Sequence, residues 1–295
     1  MVNALFEMGR QGFLDGSLDW DTQAFSAALL NIATATDTAV KAISSSTAAS
    51  PIQITTSTAH GFANGDLVFI DGHSTGTNNA ANGFWLISGA SGSVFNLTNP
   101  LTSANTSAGQ AAGGATGYVV NYGQANTAVS DNWDDFDGCL IGAKVPLTSP
   151  TKLAGVADAA DTTFTSVSGS PVQAVIIFQD TGTASTSRLA CLITGKFIVT
   201  CAATTTATTI PVEPLTAAIP NGAVLTFNGA GSTQVATLSS LANVGDRALT
   251  VASTTVTAGN RALAPATGSG LPVTPNGGNI LVTWQSVPIS MIFKL

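Results

Sequence analysis

Apolar and polar positions alternate most clearly in the middle of the chain. Residues 162–167 alternate, and a Ser168-Gly169-Ser170 turn follows. Residues 171–180 are then the most strongly apolar, β-branched run of the sequence, ending at a Thr181-Gly182-Thr183 turn before the apolar segment 189–193. Short strand-like runs separated by turn residues predict an antiparallel meander of three consecutive strands. A run that is apolar at successive positions, not only at alternate ones, predicts a central strand buried on both faces.

The rest of the chain reads as more short strands. Residues 1–10 suit one or two helical turns, which Gly12 and Gly16 then break. Residues 23–32 read as a strand, with Phe25, Ala27, Leu29 and Asn31 on one face and Ser26, Ala28, Leu30 and Ile32 on the other; the alanines leave a helix as the alternative. Residues 41–51 form a Ser/Thr/Ala linker. After it come strands at 52–56, 67–70, 84–87 and 94–97, with turns at His60-Gly61, Asn64-Gly65 and Asn82-Gly83. Residues 102–117 are almost entirely Ala, Gly, Ser, Thr and Asn and read as a flexible excursion. Strands follow at 118–120 and 140–145, with 152–157 placed to pair beside the latter. Beyond 196, strands at 210–212, 223–227, 234–238 and 248–251 alternate with Asn-Gly and related turns. Two last strands, 279–284 and 289–295, close the chain.

This order predicts an all-β protein with a β-sandwich or jelly-roll-like core that is interrupted twice. The core pieces are 1–49, 118–195 and 268–295. Residues 50–117 form an inserted β module with its linker, and 196–267 a second inserted module. Insertions at loop tips leave the backbone pairing of a core intact.

Composition alters this picture in one respect. Of 295 residues only 8% are charged, while 44% are hydrophobic. The usual charged share is about 25%. The missing charge is replaced by small uncharged polar residues, a surface that serves a free monomer poorly and suits a chain packed against neighbours. The net charge of -7 and nine scattered Lys and Arg give no basic stripe, so no nucleic-acid partner is expected. No apolar run approaches the length of a membrane span, and the first ten residues lack the basic start and apolar stretch of a secretory leader. Cys139, Cys191 and Cys201 contain no CxxC. Cys191 and Cys201 suit either a disulfide between adjacent strands or small buried thiols.

Candidate chemistry is sparse. Asp131, Asp134, Asp135 and Asp137 are alternating carboxylates of the kind that hold Ca²⁺. Only a fragment of a calcium loop is present, however, and no Glu follows at the required distance. The expectation is a solvated acidic loop anchored by Trp133 and Phe136. His60 and His73 share one module without a third ligand at useful spacing. No Gly-x-Ser-x-Gly elbow occurs, and Gly113-Gly114 and Gly277-Gly278 do not open helices. Glu7 and Glu213 are the only glutamates. No metal, cofactor or catalytic constellation is predicted, and an enzyme is not expected. The side chains proposed for binding are Phe84, Trp85, Trp133 and Phe136, with Trp85 or Trp133 as a stacking platform if the protein binds glycans.

Several stretches resemble a family of small structural proteins of tailed bacteriophages. They are Gly9-Arg10-Gln11-Gly12-Phe13-Leu14-Asp15-Gly16 with Leu18-Asp19-Trp20-Asp21, then Gly155 to Phe164, Ala174 to Gly182 and Ser187-Arg188-Leu189. The last are Leu271 to Gly278, the Trp284 strand and Ile292-Phe293-Lys294-Leu295. All lie in the pieces assigned to the core. The module around Ile54-Thr55-Thr56, Ala59-His60-Gly61, Gly65-Asp66, Asn82-Gly83-x-Trp85 and Phe95-Asn96-Leu97 is similar to a β unit of phage tail and virion proteins, which also occurs beside the catalytic parts of ubiquitin-activating enzymes. Residues 196–267 resemble a further segment of virion proteins. The resemblance implies a virion component assembled in the host cytoplasm: first a capsid decoration (cement) protein that binds the major capsid protein, otherwise a neck, tail or baseplate part. It further implies a homo-oligomer, with a trimer as one arrangement. A carbohydrate-binding host-attachment protein and, last, a hydrolase are the rivals outside that class.

Overall fold

The structure is a computed structural model. It describes residues 3–33, 37–73, 80–106, 112–123, 131–153, 155–229, 233–267, 269–284 and 293–294. The protein is all-β: among the described residues a single α-helix, Glu7–Asp15, accompanies the strands. The chain divides into two compact units. One contains Lys41–Ala125 and Gly195–Ser269; the other contains Asn3–Val40, Asn126–Thr194 and Gly270–Leu295. The latter draws on three separate stretches of the chain, while residues 41–125 and 195–269 lie together in the former.

In the discontinuous unit, a five-stranded antiparallel sheet runs in the order Asn3–Leu5, Leu189–Ile193, Ala174–Gln179, Phe25–Leu30, Leu140–Pro146. Ala174–Gln179 lies at its centre. Ile176 pairs with Ala28 on one side and Leu192 on the other. Alternation sends Val175 and Ile177 into a core with Phe25, Leu29, Phe164 and Trp284. Ile176 and Phe178 point to the opposite face and are also buried, as expected for a strand covered on both sides. Small sheets supply the cover on the first face: Thr162–Phe164 pairs with Ile280–Val282, and Thr151–Leu153 with Val156–Asp158 and then Phe293–Lys294.

Two details of pairing differ from expectation. Thr162–Phe164 does not join the meander but pairs with the late strand, because the central strand's other edge is taken by Phe25–Leu30. Thr151–Leu153 and Val156–Asp158 form their own hairpin instead of lying beside Leu140–Pro146. Of the closing strand 289–295, only Phe293 and Lys294 fall within the described residues. The helix also runs through Gly12 and ends at Gly16, whose φ of 78° is left-handed. A Cβ at Gly9 would stand 2.7 Å from backbone of Leu189 and Ala190, and one at Gly12 2.6 Å from Leu18. These glycines let the helix touch the sheet and the following loop; they do not break it.

In the second unit, six strands close into a barrel: Val40–Ser46, Gln53–Thr56, Val94–Thr98, Gly83–Ser91, Leu67–Asp71 and Tyr118–Asn121. Two boundaries shift as a result. The supposed linker at 41–51 holds a barrel strand, and 118–121 belongs to the barrel instead of the core. A Ser/Thr/Ala strand lacks the apolar signal of its neighbours, but closure of the barrel requires it to pair. Residues 196–267 add three hairpin-like pairs: Lys196–Thr200 with Arg261–Pro265, Thr205–Pro211 with Ala248–Val256, and Val224–Phe227 with Gln234–Thr237. Phe197, Ile210, Leu225, Phe227 and Leu249 form their shared core.

Candidate functional site

The four aromatic residues proposed for binding are all inside. Phe136 is 0% exposed, and the most open of the four, Phe84, only 7%. Trp133 lies against Phe178, and Phe136 meets Phe6 edge-on at 5.4 Å, so both close the second face of the central sheet. Phe84 packs on Phe69 and Tyr122 within the barrel. Trp85 donates its indole N–H to Ala81 O at 2.7 Å. A stacking platform for a sugar needs an open ring face, and none of these rings offers one. They are core residues that sequence alone cannot tell from surface aromatics.

The acidic loop is divided in its roles. Asp135 turns inward, where its Oδ2 accepts the Asp131 N–H at 3.0 Å. Asp37, distant in sequence, accepts the Gly138 N–H at 2.8 Å. Burial, then repulsion from Asp37 and Asp134, raises the Asp137 carboxyl above its ordinary value. Among the described residues no group of three His, Cys, Asp or Glu is placed to hold a metal ion. The three cysteines are buried thiols that form no disulfide, so the disulfide alternative falls, and burial pushes the Cys191 thiol well up.

Both histidines are buried in the barrel with both ring nitrogens engaged. His60 Nδ1 accepts the Phe62 N–H at 2.9 Å, which leaves Nε2 to donate to Val94 O at 3.2 Å. His73 has a more suggestive setting. Its Nε2 lies 2.7 Å from Ser46 Oγ, and its Nδ1 2.7 Å from Thr116 O. A hydroxyl, a base and a group orienting the base are the parts of an activated nucleophile. Here Gly113 seals them. A Cβ on Gly113 would stand 2.1 Å from His73 Nε2 and 2.5 Å from Ser46 Oγ, so the Gly113 backbone packs directly against the pair. Gly113 N–H also donates to Ser46 Oγ at 3.1 Å. The set ties strand Val40–Ser46 to the 112–117 segment.

An apolar concavity lies in the discontinuous unit. It is a cleft of about 350 Å³ between the end of the helix with its following loop and the Thr151–Leu153 hairpin. Phe13, Leu18, Trp20, Leu153, Val156 and Ala157 make its walls apolar. Trp20 is anchored by its indole N–H to Asp158 O at 2.8 Å and packs on Phe25. At the rim, Lys152 Nζ reaches Asp19 Oδ1 at 2.5 Å and Asp21 Oδ1 at 2.8 Å. Lys152, then Asp21, holds the Asp19 carboxyl down to about 2. The walls carry no nucleophile–base pair, and the cleft suits an apolar side chain of a partner. Sequence reasoning did not assign it. Its halves are 130 or more residues apart, although both stretches, Gly9 to Asp21 and Gly155 to Phe164, were singled out by resemblance.

In comparison with known proteins, no family model, no curated protein and no solved structure matches the chain.

Proposed function

We infer that this chain is a structural component of a bacteriophage virion, working as a capsid decoration (cement) protein through shallow, repeated protein contacts. The observation that carries this reading is strand Thr151–Leu153. It is exposed at every residue, forms the outer edge of its three-stranded sheet and borders the apolar cleft. Leu153 is 82% exposed. A bare strand edge is a template for another chain, and proteins that stay monomeric usually guard it with charge. The one charge on this edge, Lys152, is drawn to Asp19 and Asp21. A surface with few charged groups and the resemblance of the core stretches to phage structural proteins support the same reading. The chain's work is then binding, with the major capsid protein or a second copy as partner. The adhesin reading loses its platform, since Trp85 and Trp133 are buried.

The test is heat stability of particles. Capsids assembled without this protein should release DNA at a lower temperature than complete ones, and adding it back should restore them. Adding back Leu153→Asp should not. If particles with and without the protein break at the same temperature, it is not a cement protein.

A further inference from the structure

Two partners fit the exposed edge Thr151–Leu153, the major capsid protein and a second copy, and the charges around it separate them. The discontinuous unit carries twelve Asp or Glu and five Lys or Arg; the barrel-containing unit carries four of each. The whole net charge of -7 therefore lies on the unit that bears the cleft. The two stretches that wall the cleft, 13–21 and 151–158, hold Asp15, Asp19, Asp21 and Asp158 against Lys152 alone. Hydrogen bonds from Ser17 lower the Asp15 carboxyl, and Lys152 lowers Asp19 to about 2, so both are ionised at neutral pH. Lys152 is already shared between Asp19 and Asp21. A second copy would bring the same surplus of carboxylates against this one, and like charges placed together oppose association. A partner segment with Lys or Arg meets the opposite sign.

The backbone sets the shape of that segment. Thr151–Leu153 and Val156–Asp158 form a hairpin whose far edge is taken by the chain's own Phe293–Lys294, paired with Ala157 and Val156. The hairpin therefore already accepts one short strand. Its near edge, Thr151–Leu153, pairs with no further strand among the described residues and is exposed at every residue. A strand laid along this edge gains main-chain hydrogen bonds and sends alternate side chains to opposite faces. On the cleft side such a side chain meets Phe13, Leu18, Trp20 and Val156.

Resting on the reading of Thr151–Leu153 as a contact edge, we propose that it binds an extended, basic segment of another protein as an added strand. An apolar side chain of that segment fills the cleft, and a flanking Lys or Arg lies against Asp19 and Asp21.

The experiment uses the full chain, labelled with ¹⁵N, at low salt. Two short capped peptides share one alternation of Val, Thr and Leu and differ only at their ends, which carry lysines in one and glutamates in the other. A third repeats the lysine peptide with its backbone nitrogens methylated. The readouts are the Trp20 indole N–H and the Leu153 backbone N–H signals in ¹H–¹⁵N NMR spectra. Both should shift saturably with the lysine peptide, which should bind about tenfold more tightly than the glutamate peptide. Added sodium chloride should shrink that preference. The methylated peptide should not bind, because an added strand needs its backbone donors. Leu153→Asp should lose binding and melt as the parent protein does, since the side chain it replaces is exposed. If Leu153→Asp does not fold, the titrations of the parent protein decide alone.

No saturable shift with the lysine peptide overturns the proposal, as do equal affinities for the two charged peptides or undiminished binding after methylation. Dimerisation in sedimentation runs that Leu153→Asp abolishes also overturns it, because the occupant is then a second copy. Capsids stabilised by the protein alongside a failed titration sink this inference and leave the virion reading standing. A successful titration alongside capsids indifferent to the protein does the reverse.

Discussion

The indole of Trp133 lies flat on the ring of Phe178, with centroids 4.5 Å apart and planes 3° apart. Phe178 belongs to the central strand and Trp133 to a short 3-10 turn in the acidic loop. The contact shows what that loop does: its carboxylates face outward or cap the turn while its aromatics seal the second face of the sheet. Trp133→Ala should therefore destabilise the protein by about 3–5 kcal/mol, the range for a large aromatic removed from a core. Denaturant unfolding measures it. An unchanged midpoint together with lost glycan binding would make Trp133 a ligand platform instead.

Ile176 is buried between Ala28 and Leu192 at the middle of the same sheet. Ile176→Asp places an unpaired charge there and should cost about 4 kcal/mol or more. Unfolding by urea, followed at tryptophan, should show a large loss of stability or no folded protein. Unaltered melting would mean that this strand is not the centre of its unit.

Much of this was legible in the residues and some was not. The strand at 171–180, its burial on both faces and its pairing with the following strand Leu189–Ile193 follow from an unbroken β-branched run and the short turn after it. The partner of Thr162–Phe164 does not, because pairing with residues 280–282 is set by which edges the first strands leave free. Strand Val40–Ser46 hid in a Ser/Thr/Ala composition that signals a linker unless a barrel needs closing. The aromatic residues were found, but whether a tryptophan faces a core or a ligand depends on long-range packing that local pattern does not encode.

Gly113→Ala should break the pin between Ser46 and His73. The added Cβ would meet both side chains at 2.1–2.5 Å, and overpacking of this kind costs about 1–3 kcal/mol. Thermal unfolding checks it. Gly114→Ala, where a Cβ meets nothing within 4 Å, is the control and should change little.

His60 predicts a pH dependence. Its neutral ring satisfies the Phe62 N–H and Val94 O together. Burial, and secondarily the charge of Lys41, lowers its pKa from 6.5 against the opposing pull of the Val94 bond and Asp66. The unfolded chain then binds a proton more readily than the folded one. Stability from this group is fully present above the unfolded value of 6.5 and falls as pH drops below it towards the folded pKa. His60→Asn should flatten that part of the curve. A parent protein whose melting temperature does not fall between pH 6.5 and pH 5, or a variant with the same slope, contradicts the assignment.

The most direct test of the virion reading is the copy number of this chain in purified phage particles, read from a stained gel against the major capsid protein. Decoration of the head predicts hundreds of copies per particle. A handful of copies would move the protein to the neck, tail or baseplate, and its absence from particles would contradict the account.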